Sequence, residues 1–132
     1  MQVDVETEVL GTYRQIIKVD AHTLHADMPV ASGGGNTAPG AHEYFDMSLA
    51  TCKALTATWY AKKNGMALER VEAHVVRDAT HEREGKYKLS VRLAFHGALS
   101  DDEKHRIYAA VAKCPVHKLM TTTEIEIETA PL

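Results

Sequence analysis

The two cysteines are the residues whose chemistry follows most directly from this sequence, because a thiolate is a nucleophile and two thiols can form a disulfide. Cys52 lies within AHEYFDMSLATCKALTATWYAKKNG, residues 41–65, and Cys114 lies within KCPVHKLM. If the fold brings the sulfurs close, one thiolate can attack an O–O bond and become a sulfenic acid, with which the second cysteine condenses. Two inert core cysteines are the alternative, since free cysteine is commonly buried. The residue patterns alone leave these alternatives near parity.

The surroundings of the two cysteines predict that they ionise differently. Pro115 fits the first position of a helix and places Cys114 near its N-cap, where backbone N–H groups and neighbouring positive charges favour a thiolate. We therefore expect Cys114 to be the thiol that ionises more easily. Cys52, in the middle of a buried helix, needs a cation beside it. Arg14 is one of few candidates, although an ordinary solvated strand charge is the simpler interpretation of that residue.

Other site chemistries have weak support. The sequence lacks the CxxC, CxxH and HExxH spacings of zinc sites, and its histidines are scattered. Residues 30–40, VASGGGNTAPG, form a glycine-rich loop that cannot hold regular structure. This loop lacks the Gly-Lys-Ser/Thr and GxGxxG patterns of phosphate sites. A rim beside a pocket, or a plain connector, is the expected role. We predict no metal and no cofactor.

Residues 41–65 predict one long helix around which the chain is organised. Lys53 is the only charge between Met47 and Ala61, so the helix is apolar on nearly all sides and is expected to be covered on all of them. One stripe carries the first cysteine among apolar side chains: Phe45, Leu49, Cys52, Leu55, Thr56 and Trp59.

The remaining pattern predicts an α+β fold in a single domain, residues 1–132. Ser100 and Glu103 form a capping box, so a second helix starts at about Asp101. Apolar and polar residues alternate, as in half-buried strands, over residues 2–10, 13–19, 22–27, 69–79, 86–96 and 124–129.

Composition excludes several classes of protein. The 132 residues carry a formal charge of −3, so the basic face of a sequence-independent nucleic-acid binder is not expected. The N-terminus lacks a signal-peptide pattern, and no stretch is long and apolar enough to span a membrane, so we expect a cytoplasmic protein. Two cysteines in such a chain are not expected to be a structural disulfide.

The stretch PGAHEYFDMSLATCKALTATWYAKKNGM, followed by two long strands, KCPVHKLM and a final alternating segment, resembles the OsmC/Ohr family of thiol-dependent hydroperoxide reductases. The resemblance covers essentially the whole chain. It implies an OsmC-like α+β fold with antiparallel sheets wrapped around a long central helix. It also implies an intertwined homodimer with its active sites at the subunit interface.

The resemblance also implies residue roles. Cys52 matches the peroxidatic cysteine and Cys114 the resolving cysteine. Glu43 matches the acidic residue upstream on the helix, although the place that typical members give to the glutamate is held here by His42. Arg14 is the candidate for the arginine that, with this carboxylate, holds the thiol as a thiolate.

The expected function is therefore a homodimeric cysteine peroxidase for organic hydroperoxides, regenerated by an external dithiol. Two rivals remain: a binding module for small apolar or electrophilic ligands with little turnover, and a scaffold with inert thiols. An apolar lining favours alkyl or fatty-acid peroxides over hydrogen peroxide; it is formed by Phe45, Leu49, Leu55, Trp59, Leu119 and Met120.

Overall fold

A computed structural model describes all residues, Met1–Leu132, in two compact units, Met1–Phe45 and Asp46–Leu132. The α+β class with antiparallel sheets is confirmed, whereas a single domain stays a prediction. None of the helices combines the length and hydropathy needed to cross a membrane. The elements are β1 (Val3–Thr7), β2 (Gln15–Val19), β3 (His22–Ala26), α1 (Ala41–Lys63), β4 (Leu68–Asp78), β5 (Lys88–Gly97), α2 (Asp101–Val111) and α3 (Pro115–Thr121).

The first unit is a three-stranded antiparallel sheet in the order β1-β2-β3. Val3 pairs with Val19 and Gln15 pairs with Ala26, so each strand turns back directly onto the previous one. The three strands lie within the ranges that alternation predicts, because antiparallel strands that follow one another in sequence depend mainly on local pattern and turn residues.

A buried aspartate organises the glycine-rich loop of this unit. One carboxylate oxygen of Asp27 accepts a hydrogen bond from the Met28 N–H at 2.7 Å. The other accepts from the Thr37 N–H at 3.1 Å and the Thr37 hydroxyl at 2.6 Å. These donors stabilise the carboxylate, the Thr37 hydroxyl most, and lower the pKa of Asp27 to about 2. The expectation of no regular structure in residues 30–40 is wrong at one place, since Val30–Ser32 form a 3-10 turn that ends at Gly33.

Helix α1 buries a different stripe from the one predicted. A single chain covers only one face of the helix, so the expectation of burial on all sides is wrong for this chain. Phe45, Leu55 and Trp59 are 47%, 65% and 60% exposed. The buried stripe repeats every three or four residues and includes two charged side chains: Asp46, Leu49, Lys53, Ala57 and Ala61.

The core of the second unit forms where this stripe of α1 packs with β5 and α2. Phe95 and Tyr108 contribute an edge-to-face ring pair with centroids 6.1 Å apart. Ile107 and Val111 of α2 are almost fully buried. The buried cluster consists of Ala57, Ala61, Met66, Phe95, Ile107 and Val111. These contacts fix α1 against α2 and thereby position the segment that follows α2.

The β4-β5 hairpin holds α1 through the buried carboxylate of Asp46. The Tyr87 hydroxyl donates to one oxygen at 2.5 Å, and Arg77 forms an ion pair with the other at 3.2 Å. Burial, followed by the hydrogen bond to Asp46, raises the pKa of Tyr87. The charge inside the stripe is therefore compensated by two partners from the sheet.

The capping box of α2 is confirmed, since the Ser100 hydroxyl accepts from the Glu103 N–H at 3.1 Å and the Glu103 carboxylate accepts from the Ser100 N–H at 3.0 Å.

The chain end departs from the predicted pattern. The strand predicted over residues 124–129 is wrong for this chain, because α3 is the last regular element. Alternation indicates a strand only where a neighbouring strand supplies hydrogen-bond partners, and none does so here.

Candidate active site

Cys114 lies at the junction between α2 and α3. It is the N-cap residue of α3, with Pro115 at the first helical position, as the sequence predicts. Its backbone N–H donates to the Val111 carbonyl at the end of α2, at 3.2 Å. The side chain is 0% exposed. The junction thus fixes the second thiol on the inside of the unit.

Cys52 lies on α1 and is half-buried. The Val116 N–H, at the start of α3, points at its sulfur with a nitrogen-to-sulfur distance of 3.5 Å. The Thr56 hydroxyl oxygen is 4.0 Å from the same sulfur. A backbone N–H from a helix start favours negative charge on sulfur. Cys52 therefore combines partial access with a donor that suits a thiolate.

Burial opposes the expected ionisation of Cys114. Desolvation is the main cause that raises the pKa of this thiol, and the neighbouring Cys52 thiol raises it further. The His117 N–H and the charge of Lys53 lower the pKa of Cys114, but they do not outweigh burial. The His117 N–H faces the sulfur without forming a full capping hydrogen bond. The expectation that the N-cap position of Cys114 favours a thiolate is wrong, because this position is buried.

The structure brings the two thiols together although they are far apart in the sequence. The Cys52 sulfur lies 3.5 Å from the backbone nitrogen of Val116, two residues after Cys114, and the Cys52 side chain contributes to the raised pKa of Cys114. Both cysteines are free, so the pair is in its dithiol form. An adjacent dithiol with one accessible sulfur and one buried sulfur can be oxidised to a disulfide, provided that the sulfurs reach bonding geometry.

The sequence interpretation missed the role of Lys53. This residue is 7% exposed, and its ammonium donates to the Val111 carbonyl at 2.9 Å. It also lies 3.3 Å from Nδ1 of His117. The available signal was its position as the one charge in an apolar stretch of helix, because burying a charged side chain costs free energy unless other groups compensate it.

Arg14 and Glu43 belong to the first unit. The Arg14 guanidinium forms an ion pair with Glu8 at 2.7 Å and donates to the Thr37 hydroxyl at 2.8 Å. Glu43 lies in the first turn of α1, roughly 13 Å along the axis before Cys52. Activation of Cys52 by these two residues stays a prediction.

The predicted apolar lining is divided between two environments. Leu49 belongs to the buried stripe of α1, at 6% exposure, whereas Leu55 and Trp59 are on the exposed face of the same helix. On α3, Leu119 is exposed and Met120 is half-buried. The predicted lining residues therefore differ in exposure within this chain, and their role in binding a substrate stays a prediction. No group of three or more His, Cys, Asp or Glu residues is placed to hold a metal ion.

Three solved structures show the same fold at low identity. An osmotic-stress-induced and detoxification response protein of Psychrobacter arcticus is 20% identical, with a TM-score of 0.70 over 89% of this chain and 88% of that one. The organic hydroperoxide resistance protein OsmC of Legionella pneumophila is 22% identical, with a TM-score of 0.63 over 92% and 88%. The organic hydroperoxide resistance protein OhrB of Bacillus subtilis is 21% identical, with a TM-score of 0.61 over 92% and 90%.

No curated protein sequence matches the chain. Residues 33–130, however, match the family of OsmC-like proteins, and this range contains α1, the β4-β5 hairpin and both thiols. The match covers well over half of the chain, and the fold agrees with it. The protein belongs to the OsmC family.

Proposed function

We propose that this protein is a cysteine peroxidase that reduces organic hydroperoxides with Cys52 and Cys114. The observation that carries the proposal is the pair of free, neighbouring thiols, of which Cys52 is half-buried and receives a backbone N–H. Family membership supports it, as do two structurally similar proteins whose names state organic hydroperoxide resistance.

The proposed reaction has two steps in the protein. The Cys52 thiolate attacks one oxygen of the O–O bond, forms a sulfenic acid and releases an alkoxide, which takes a proton to become the alcohol. The Cys114 thiolate then attacks the Cys52 sulfur and forms the disulfide. Hydroxide leaves and takes a proton to become water. An external dithiol supplies two electrons and two protons to restore both thiols.

The order of attack follows from access. A hydroperoxide must reach the sulfur that it oxidises, and Cys52 is half-buried whereas Cys114 is 0% exposed. Thiolate reactivity also requires donors, and the Val116 N–H supplies one to Cys52. Burial raises the pKa of Cys114, which suits a thiol that reacts only after Cys52 has been oxidised. We therefore assign attack to Cys52 and resolution to Cys114.

Arg14 and Glu43 are the proposed activating pair, on the strength of the family pattern. For this role the Arg14 guanidinium must exchange its ion pair with Glu8 for a contact with Glu43 or with the Cys52 sulfur. His42 or Glu43 fills the acidic position.

The substrate class follows from the apolar residues around the helix. Leu55, Trp59 and Leu119 are exposed, and Met120 is half-buried. Such surfaces favour alkyl or fatty-acid hydroperoxides over hydrogen peroxide. The proposal includes Phe45 and Leu49 as lining residues, the latter after a rearrangement that exposes it.

A homodimer is part of the proposal. A large exposed apolar face is uncommon on a stable monomer, and α1 presents Phe45, Leu55 and Trp59 on one side. Ile125 and Ile127 are also exposed, in the segment after α3 that alternates like a strand but has no strand partner here. A second copy would cover both features. A cytoplasmic location is also proposed, because regeneration needs a reducing dithiol pool.

A turnover assay tests the proposal. The purified protein should consume many equivalents of cumene hydroperoxide in the presence of excess dithiothreitol or dihydrolipoamide, and it should consume hydrogen peroxide at least about tenfold more slowly. Loss of peroxide and appearance of the alcohol are followed over time. Binding of an apolar ligand with no peroxide loss above the dithiol-only control would favour the alternative, an OsmC-like protein that binds small apolar ligands.

A further inference from the structure

Lys53 is a buried cation without an anionic partner. The side chain is 7% exposed, and no carboxylate forms an ion pair with it. Burying a charge is costly unless it is paired and hydrogen-bonded, and the other buried charge of the stripe, Asp46, has its partners in Arg77 and Tyr87. An ammonium kept in this state is available for an anion that forms only during a reaction.

The ammonium is fixed next to the second thiol from two sides. The Val111 carbonyl accepts from Nζ of Lys53 at 2.9 Å, and the same oxygen accepts from the backbone N–H of Cys114 at 3.2 Å. Nδ1 of His117, three residues into the segment after the cysteine, is 3.3 Å from Nζ. An ammonium has three donors, so these two contacts leave one N–H for a further acceptor.

We propose that Lys53 is the electrostatic positioning residue of the resolving step, in which its ammonium stabilises the Cys114 thiolate that attacks the Cys52 sulfenic acid. The inference rests on the proposed peroxidase function and adds a residue that the arginine–carboxylate pattern of the family does not supply. It assigns Lys53 to the second step and leaves the first attack to Cys52 and its own donors.

The surroundings of Cys114 explain why its step needs a cation. The groups that act on it are the side chains of Cys52 and Lys53 on α1 and the backbone N–H of His117 on α3, while the His117 ring contacts Lys53. Burial and the Cys52 thiol favour the neutral form of Cys114, whereas the Lys53 charge and the His117 N–H favour the thiolate. Of these groups, only Lys53 acts on Cys114 through a positive charge.

The step balances without a further reactant. The Cys114 thiol loses its proton, and the thiolate sulfur forms a bond to the Cys52 sulfur while the Cys52 S–O bond breaks. The departing hydroxide takes a proton and leaves as water. The charge of Lys53 is needed only until the disulfide forms, because the disulfide is neutral.

A thiolate titration tests the electrostatic link without any peroxide. In the Cys52→Ser protein, Cys114 is the only thiol, and its ionisation is followed by ultraviolet absorbance of the thiolate. Lys53→Met and Lys53→Gln, the latter keeping a donor for the Val111 carbonyl, should move the titration to higher pH, and Lys53→Arg should restore it. Lys62→Met, at an exposed lysine of the same helix, is the matched control and should leave it unchanged.

Rapid kinetics then separates the two chemical steps in the protein with both cysteines. Lys53→Met and Lys53→Gln should form the sulfenic acid, trapped by dimedone, within about twofold of the normal rate. They should form the disulfide on the order of tenfold more slowly at pH 7, with the deficit shrinking as pH rises. Lys53→Arg should recover the rate.

The possible failures are distinguishable. An unmoved titration in both uncharged variants, each folded by circular dichroism, would overturn the role of Lys53 whatever the peroxidase assay gives. Equal slowing of both steps at every pH would also overturn it. A parent protein that does not oxidise with cumene hydroperoxide would instead overturn the proposed function.

Discussion

Cys52→Ser is expected to reduce turnover of cumene hydroperoxide to the level of the dithiol alone, a loss of at least about a thousandfold. Serine lacks the nucleophilic thiolate, and the buried Cys114 cannot replace it because it is 0% exposed. Cys114→Ser should still consume one equivalent of peroxide and then stop or slow, since the Cys52 sulfenic acid has no internal partner. Peroxide loss is measured with and without reductant.

The matched control for these variants is Thr51→Ala, an exposed position beside Cys52 on the same helix, which should retain normal turnover. Full activity in Cys52→Ser would contradict the assignment of attack to this residue. If Cys114→Ser alone lost the first oxidation event, the order of the two thiols would be reversed.

Gly97→Ala should lower the free energy of unfolding by roughly 3 kcal/mol or more. Gly97 ends β5 opposite Leu68 with a φ of +142°, a conformation that residues with a side chain rarely adopt. A Cβ at this place would lie 2.0 Å from the Ala67 carbonyl oxygen, which is backbone and cannot turn away. Denaturant unfolding at one fixed protein concentration measures the change.

Gly85→Ala separates the two contributions to this cost. Gly85 also has a positive φ, of +81°, but no atom lies within 4 Å of the place where its Cβ would be. We expect a cost of about 1 kcal/mol there, from backbone strain alone. Equal effects of the two substitutions would show that the close approach at Gly97 does not contribute to the change in the free energy of unfolding.

Local patterns predicted most of the secondary structure. The capping box at Ser100 and the proline after Cys114 fixed two helix starts, because both act within a single turn. Alternation located β4 and β5, and burial alternates along the first half of β5. These features depend on residues that are neighbours in the sequence, and they can therefore be inferred from a single sequence.

The errors concern features that depend on contacts distant in sequence. Asp46 and Lys53 lie on the buried stripe of α1 because each has partners from elsewhere in the chain. Asp46 forms an ion pair with Arg77 of β4, and Lys53 donates to the Val111 carbonyl at the end of α2. The pKa of Cys114 is raised because its N-cap position is covered. The segment after α3 alternates but has no strand beside it in this chain.

We propose that Cys52 and Cys114 form one redox pair within a chain. The most direct measurement is peptide mapping after addition of one equivalent of cumene hydroperoxide to the reduced protein, with free thiols blocked in acid. A single Cys52–Cys114 disulfide within one chain is expected, formed within seconds and reversed by dithiol. Two thiols that remain free, or Cys52 that proceeds to sulfinic acid while Cys114 stays reduced, would contradict it.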